Sequence, residues 1–345
     1  MSERPARSHV TLEGVARSAG VSPATASRAL NGTSRVREEL RARVVAAADR
    51  LGYIPNAHAQ ALASASSRVV GVICHDVSDP YFAAIASGVM GAASDRGLLM
   101  MLASTFRDPA REIAYVSTLR AQRARAILLI GSGFEDRAWE RAMKDELEPY
   151  LRGGGRVAVV SRHRTLRVDT VSPENHAGGA ALARAMLSLG HRDFAVLTGP
   201  RALTTVSERL GGFRQGLAEA GVELAPEQVV EGSFSRDGGY RACAELLARG
   251  LRASCVFALT DVMAIGALAA LRDRGLRVPE DVSLAGFDDI PIVRDLTPPL
   301  TTVALPLARM GRTAVALALR EPRGQRSRVE RLGGDVVLRS STAPP

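Results

Sequence analysis

Lysine is nearly missing from this chain: of 45 basic residues only Lys144 is not an arginine. Together with the abundance of alanine, this points to a GC-rich genome rather than to a special chemistry. Cysteine is scarce too. Cys74, Cys243 and Cys255 are odd in number, widely spaced and outside any CxxC or metal-ligand pattern. They read as reduced, buried thiols of a cytoplasmic protein, not as a disulfide framework or a metal site. No apolar run approaches the ~18 residues that a membrane-spanning helix needs. The N-terminal stretch MSERPARSHVTLEG has arginines but no apolar segment behind them, so a secretory signal is not expected. The signatures of α/β enzymes are missing as well. There is no nucleophile elbow, no P-loop, no GxGxxG after a strand and no metal-spaced His or Cys set. His75, His163, His176 and His191 are scattered and read as surface or turn residues. No cofactor is implied.

What remains is long, ordinary in composition and unevenly charged. At 345 residues with 46% apolar content, the chain has material for two or three domains with a sizeable core. The net charge of +9 favours an acidic partner. Residues 1–62 hold nine arginines against five carboxylates, so +4 of the total lies in the first sixth of the chain. Two different patterns divide there.

Before residue 66 the pattern is helical. Thr11 suits the N-cap of a helix from Leu12 to about Ala19, with Val15, Ala16 and Ala19 on its apolar face. Gly20 supplies a tight turn; Ser22 then caps a second helix, PATASRALN, with Pro23 at its first position. A third helix from about Glu38 to Leu51 puts Leu40, Val44, Ala47 and Leu51 on one side. Two short helices joined at a glycine fit a helix-turn-helix, whose second helix enters the DNA major groove. The pattern alone fits a plain structural hairpin as well; the local positive charge favours DNA.

After residue 66, apolar β-branched runs alternate with amphipathic helical stretches. VVGVICHD (69–76), LLMMLAST (98–105), AILLIGS (126–132) and VAVVSR (157–162) form one group. FAVLTGP (194–200), VVEGSF (229–234), CVFALTD (255–261) and VSLAGFDD (282–289) form another. Such runs predict parallel sheets covered on both faces, and two groups of four suggest two similar doubly wound α/β subdomains. Ligands in these sheets bind beyond the carboxyl ends of the strands, here Asp76, Arg162, Phe234, Asp261 and Asp288.

VTLxxVAxxAGVSxxTxSRxLNG (10–32), followed by LGYIPNAHAQALA (51–63), resembles the head and hinge of the lactose-repressor (LacI/GalR) family of bacterial transcriptional regulators. The resemblance continues collinearly through DPYFAAIASGV (79–89), SPENHAGGAALARAMLSLGHR (172–192) and ERLGGFRQGLAEAG (208–221). It extends through TDVMAIGALAALRDRGLRVPEDVSLAGFDDIP (260–291) to TPPLTTVALPLARMGRTAV (297–315). It implies an all-α helix-turn-helix head, residues 9–55, and a hinge helix with linker, 56–66. An α/β core of two doubly wound, periplasmic-binding-protein-type subdomains would fill 67–345. The first subdomain is expected at 67–166 and 296–328, the second at 167–295 and 329–345.

The implied function is sequence-specific transcriptional regulation, as a repressor. A sugar or sugar derivative between the subdomains would modulate operator affinity; a ligand-responsive activator or dual regulator is the alternative within the family. By resemblance, Pro23, Ala24 and Arg28 read base edges, and guanidinium bonds guanine in a bidentate way. Thr11, Leu12, Ser22, Thr25, Ser27 and Asn31 complete the contact surface, the short polar side chains suiting phosphates. Asn56, Ala59 and Leu62 belong to the hinge, with Leu62 placed to wedge into the minor groove. Effector contacts fall on Tyr81, Arg162, Thr205, Arg209, Phe234, Thr260 and Asp288, a mixture of aromatic faces and hydrogen-bonding groups that suits a polyhydroxylated ligand.

The expected partners are palindromic double-stranded operator DNA, a carbohydrate-like effector and a second copy of the chain, without a membrane. The expected location is cytoplasmic, on the nucleoid when bound to DNA. No heptad pattern follows the core, so a dimer is expected. The chain departs from its relatives at Thr260, often Asn, and at Ser161, often an acid. Gly14 stands in place of an Asp, and Arg37 in place of a capping Ser. A ligand-binding transport protein is disfavoured by the head, and a DNA-compacting protein would show no sequence preference.

Overall fold

In a computed structural model, the described residues are 10–31, 36–53, 67–131, 133–134, 136–162, 166–320 and 327–345. The chain divides into two compact units, a head and a core that begins at Val69.

The head is three helices, α1 (Leu12–Ala19), α2 (Pro23–Asn31) and α3 (Glu38–Leu51). Local chemistry sets their ends. Thr11 Oγ1 accepts the Gly14 N–H at 3.2 Å, and Ser22 Oγ accepts the Thr25 N–H at 3.1 Å. Gly20, at φ 65°, takes the left-handed conformation that lets the chain turn back onto α1. Arg37 makes no side-chain cap at the start of α3, as its chemistry requires; Glu38 and Glu39 supply first-turn negative charge instead. Val15, Ala16, Ala19, Ala26, Ala29, Val44, Ala47 and Ala48 form the core of the head. The expected α3 face is shifted. Leu40 is only half-buried and Leu51 is exposed, while Ala48 turns inward, because α1 and α2 present small residues that α3 meets with alanines.

The core holds β1 (Val69–Cys74), α4 (Pro80–Ser94), β2 (Leu99–Ser104), α5 (Pro109–Ala121), β3 (Ala126–Ile130), α6 (Arg137–Arg152), β4 (Arg156–Val160) and β5 (Asp169–Pro173). There follow α7 (Asn175–Ser188), β6 (Phe194–Thr198), α8 (Thr204–Ala218), β7 (Val229–Glu231), α9 (Arg236–Ala248), β8 (Cys255–Ala258), α10 (Asp261–Asp273) and β9 (Ser283–Ala285). The chain ends with β10 (Thr302–Ala304), α11 (Leu307–Leu319), β11 (Val329–Leu332) and β12 (Asp335–Val337). One parallel sheet runs in the order β2-β1-β3-β4-β5-β11, a second in the order β7-β6-β8-β9. A short antiparallel pair, β10-β12, joins the second half.

The eight expected strands are all present, four in each sheet. The subdomain boundaries differ from the expected ones. β5 and β11 complete the first sheet, so the first crossing lies near residue 174 rather than 166, and residues 329–332 belong to the first half. β10 and the segment before it stay with the second half, and the return to the first half comes at α11. These strands are short, mixed in polarity and paired across 159 residues of chain, so no local period marks them.

Helix pairs on the sheets close on glycine. A Cβ on Gly212 of α8 would collide with the His176 carbonyl of α7, and Gly88 of α4 meets the Ala308 carbonyl of α11 in the same way. The three cysteines are free and buried, and burial raises Cys74 to about 11 and both Cys243 and Cys255 to about 12. His75 and His191 are buried, contrary to the surface reading. His75 lies between the rings of Phe82 and Phe134, and His191 shares a hydrogen bond with Ser254 Oγ at 2.8 Å. His176 is exposed, and His163 lies outside the described residues.

Candidate functional site

In the head, α2 turns Ala26 and Ala29 inward, which leaves Ser22, Pro23, Ala24 and Arg28 on the exposed side. Thr25 and Ser27 are half-buried. Ser22 and Thr25 also share a hydroxyl contact at 2.8 Å, so capping occupies the first turn. Arg28 Nε donates to the Ala24 carbonyl at 3.2 Å, an exposed contact that the side chain can exchange for a base edge. Thr11 is exposed at the start of α1, and Leu12 is half-buried against the head core. Asn31 ends α2, but its side chain lies outside the described residues, as do Asn56, Ala59 and Leu62.

In the core, a buried cavity lies between the two halves, at the carboxyl ends of both sheets. Asp79, Arg107, Gly131 and Ser161 reach it from beyond β1, β2, β3 and β4; Thr205, Phe234, Thr260 and Asp288 from beyond β6, β7, β8 and β9. Strand ends gather polar groups because each parallel strand must hand its backbone to a helix there. Two of these residues stand at backbone angles that L side chains rarely adopt, Ser161 at φ 151° and Asp288 at φ 122°. The cavity holds about 30 Å³, room for one water.

Of the seven sequence-predicted effector residues, six line this cavity: Tyr81, Thr205, Arg209, Phe234, Thr260 and Asp288. Arg162 does not. Its side chain is 68% exposed, lies 3.7 Å from Glu208 and borders a second cavity, because the turn at Ser161 points the preceding side chain into the cleft instead. Asp76 and Asp261, also read as strand-end polar groups, stand behind the site. Asp76 is 3.8 Å from Arg107. Asp261 is a structural tie: it accepts from the Ile290 N–H at 2.9 Å and from Thr302 Oγ1 at 2.6 Å.

The electrostatic centre is the pair Arg209–Asp288. Arg209, 2% exposed, donates to Asp288 Oδ1 at 2.7 Å, to the Leu259 carbonyl at 2.7 Å and to Asn175 Oδ1 at 3.0 Å. Its guanidinium also lies 3.9 Å over the Phe287 ring. Burial raises the Asp288 carboxyl above the usual carboxylate range, and the adjacent guanidinium pulls it back down. Every partner of Arg209 belongs to the second half, so the pair braces that half as well as facing the cleft.

Sequence reasoning missed Asp79, Phe82, Arg107 and Ser161. Asp79 caps α4 by accepting the Tyr81 N–H at 3.0 Å, and burial raises its carboxyl. DP ahead of a helix was a legible cap signal. Arg107 was not legible, since Phe106 and Arg107 adopt φ 53° and 62°. Its charge is balanced by Asp76 and Asp79 only at 3.8 and 3.9 Å, and its buried Nε has no hydrogen-bond partner among the described residues. It reaches from the first half to within 5.9 Å of the Phe234 ring in the second. Burial lowers its pKa. Among the described residues no group of His, Cys, Asp or Glu is disposed to hold a metal ion, and no helix is long and apolar enough to cross a membrane.

Comparison with known proteins agrees with this division. Residues 11–56 match the description "Bacterial regulatory proteins, lacI family", and residues 183–342 match "Periplasmic binding protein-like domain". The chain is 33% identical over 337 residues to the HTH-type transcriptional regulator DegA of Bacillus subtilis, covering 97% of this chain and 98% of the relative. The lac repressor dimer bound to operator and the anti-inducer ONPF superposes with a TM-score of 0.84 at 26% identity, covering 97% of this chain and 99% of that one. The transcriptional regulator CelR in complex with cellobiose does so at 0.70 and 32% identity, covering 96% and 99%.

Proposed function

The chain belongs to the lacI family of bacterial regulatory proteins and is a DNA-binding transcriptional regulator; from that premise we propose that it is a repressor whose operator affinity is set by a carbohydrate-like effector in the core cleft. The observation that carries this reading is the convergence of twelve residues from both halves, at strand ends and on the helices that follow them, on one cavity. A ligand held by groups of both halves favours one arrangement of them, and it shifts the equilibrium only by its difference in affinity between arrangements. A cavity of about 30 Å³ is too small for a sugar, so ligand entry requires the halves to separate. Arg107 and Phe234, facing one another across the cleft, are the groups whose separation a ligand would set.

Arginine and aspartate at hydrogen-bonding distance, with Tyr81 and Phe234 as aromatic faces, suit a ligand with hydroxyls and a flat ring face. Solved regulators similar to this chain, one bound to cellobiose and one to ribose, support that class. Pro23, Ala24 and Arg28 present an exposed recognition edge; Arg28 carries the base reading, and Thr11, Ser22, Thr25 and Ser27 carry phosphate contacts. Leu12 belongs to the core side of that surface. Asn31, Asn56, Ala59 and Leu62 are assigned to DNA contact on the family resemblance. Residues 54–66 are the only covalent link between head and core, so the effector signal passes through them.

The working form is a homodimer on a palindrome. β2 is the edge strand of the first sheet, yet Leu99, Met101 and Leu102 on it are exposed, Leu99 at 72%, and Met90 of the neighbouring α4 adds to the patch. An unprotected apolar edge is a surface that a partner covers.

Operator binding to the chain's own upstream DNA, measured by fluorescence anisotropy with and without cellobiose, ribose and other common carbohydrates, tests the reading. One of these sugars should change operator affinity, and Phe234→Leu should raise the sugar concentration required at least tenfold without altering affinity in its absence. A panel without effect, or an unchanged response in Phe234→Leu, would contradict the reading.

A further inference from the structure

Beside the cleft, between β5, β11 and the start of α7, lies a second and larger cavity of about 550 Å³. That volume falls in the ~300–1,000 Å³ range of small-molecule sites. Three arginines from three separate segments line it: Arg162 beyond β4, Arg167 ahead of β5, and Arg331 on β11. Two carboxylates, Glu174 and Glu208, oppose them, which leaves the cavity net positive. Only Arg162 has an ion-pair partner among the described residues, Glu208 at 3.7 Å. Arg167 and Arg331 are exposed with no such partner. The start of α7 opens on the same space, and Glu174 provides no side-chain cap there, so the positive end of the helix adds to the arginine field. Neighbouring arginines with planar donor forks are the side chains that phosphate oxygens fit best.

This cavity is not isolated from the cleft. Arg162 faces Glu208; Glu208 Oε2 accepts from Asn175 Nδ2 at 3.0 Å; Asn175 Oδ1 accepts from Arg209 Nε at 3.0 Å; and Arg209 holds Asp288. An anion that draws Arg162 away from Glu208 would act on the group that orients Arg209. We propose that this second cavity binds a small organic molecule carrying a phosphate group, through Arg162, Arg167 and Arg331, and communicates with the cleft through Glu208 and Asn175. The volume exceeds what a bare oxyanion fills, so phosphate is the anchoring group of a larger ligand. The binding claim rests on the cavity alone, whereas the communication rests on the effector reading of the cleft.

Inorganic phosphate is therefore the probe, titrated into the full-length protein without DNA at constant ionic strength, with binding read by ³¹P NMR and acetate as the control anion. Saturable phosphate binding is expected, with acetate at least tenfold weaker. The double variant Arg167→Ala/Arg331→Ala should bind phosphate at least tenfold more weakly, while its circular dichroism stays that of the wild type, since both side chains are exposed and neither holds an ion-pair partner among the described residues. Glu208→Gln, which keeps an acceptor for Asn175 and removes the opposing charge, should bind severalfold more tightly. The absence of saturable binding, equal affinity for acetate, or an unaltered affinity in the double variant would overturn the proposal. Retained phosphate binding in the double variant would place the anion elsewhere, such as the basic head. None of these readouts uses the sugar response, so a failure of the cleft reading would be seen separately.

Discussion

Removing the charge of Asp288 probes the centre of the cleft most sharply. Asp288→Asn preserves shape and one acceptor, but leaves the Arg209 guanidinium, 2% exposed, without its counter-charge. Breaking a buried ion pair from one side costs about 3–5 kcal/mol. Arg209 retains the Leu259 carbonyl, Asn175 Oδ1 and the Phe287 ring, so the cost should fall near the lower end, about 3 kcal/mol. Arg209→Met strands Asp288 instead and empties two further hydrogen bonds, at about 4 kcal/mol. With both charges removed, neither is stranded, so the double variant should cost at least ~2 kcal/mol less than the sum of the single ones.

Urea unfolding of the core transition, with all four proteins, measures this cycle. Its pH dependence carries a sign. Without Arg209 the Asp288 carboxyl is raised further, so the folded state holds a proton that the unfolded state has released. Arg209→Met should therefore regain stability as the pH falls from 7 towards 5, and lose it as the pH rises. Additivity of the two substitutions within ~0.5 kcal/mol would refute the claim that Arg209 and Asp288 act as one buried unit.

Burial also raises Glu112 from the usual 4.5 to about 8, so stability should be complete below about 4.5, fall by about 1.4 kcal/mol per unit up to about 8 and level off above it, whereas Glu112→Gln should lack that slope in urea titrations from about pH 5 to 9.5. A wild-type curve that does not bend would show that Glu112 is ionised at neutral pH. Gly212→Ala should cost about 1–3 kcal/mol, because its methyl meets the His176 carbonyl; an unchanged urea midpoint would mean that α7 and α8 can slide apart freely. Ellman's reagent should find no reactive thiol in the native protein and three after denaturation, and any fast native reaction would contradict the burial of Cys74, Cys243 and Cys255.

The head was legible because its rules are local. Thr11, Gly20, Ser22 and Pro23 act within three or four residues of themselves, and each stands where capping and turn chemistry put it. The central strands were legible for the same reason, since β1, β3, β4, β6 and β8 are buried on both faces and read as continuous apolar runs. β5 and β11 were not, because each is half-exposed and its partner is remote in sequence. In the cleft, residues at strand ends could be read by position, as Asp288 and Phe234 were. Arg162 and Ser161 could not be told apart, since one positive φ decides which of two adjacent side chains faces inward. Arg107 depends on two successive left-handed residues, neither of them glycine, for which the sequence carries no signal.

The central claim, sequence-specific reading of DNA by α2, is tested most directly by selection from a randomised duplex library with the wild-type chain and Arg28→Ala. The wild type should enrich a two-fold symmetric sequence. Arg28→Ala should lose preference at one symmetric pair of positions, at a cost of about 1–3 kcal/mol, because Arg28 is the only charged side chain on that helix. No enrichment by the wild type, or an identical base profile in Arg28→Ala, would contradict the account.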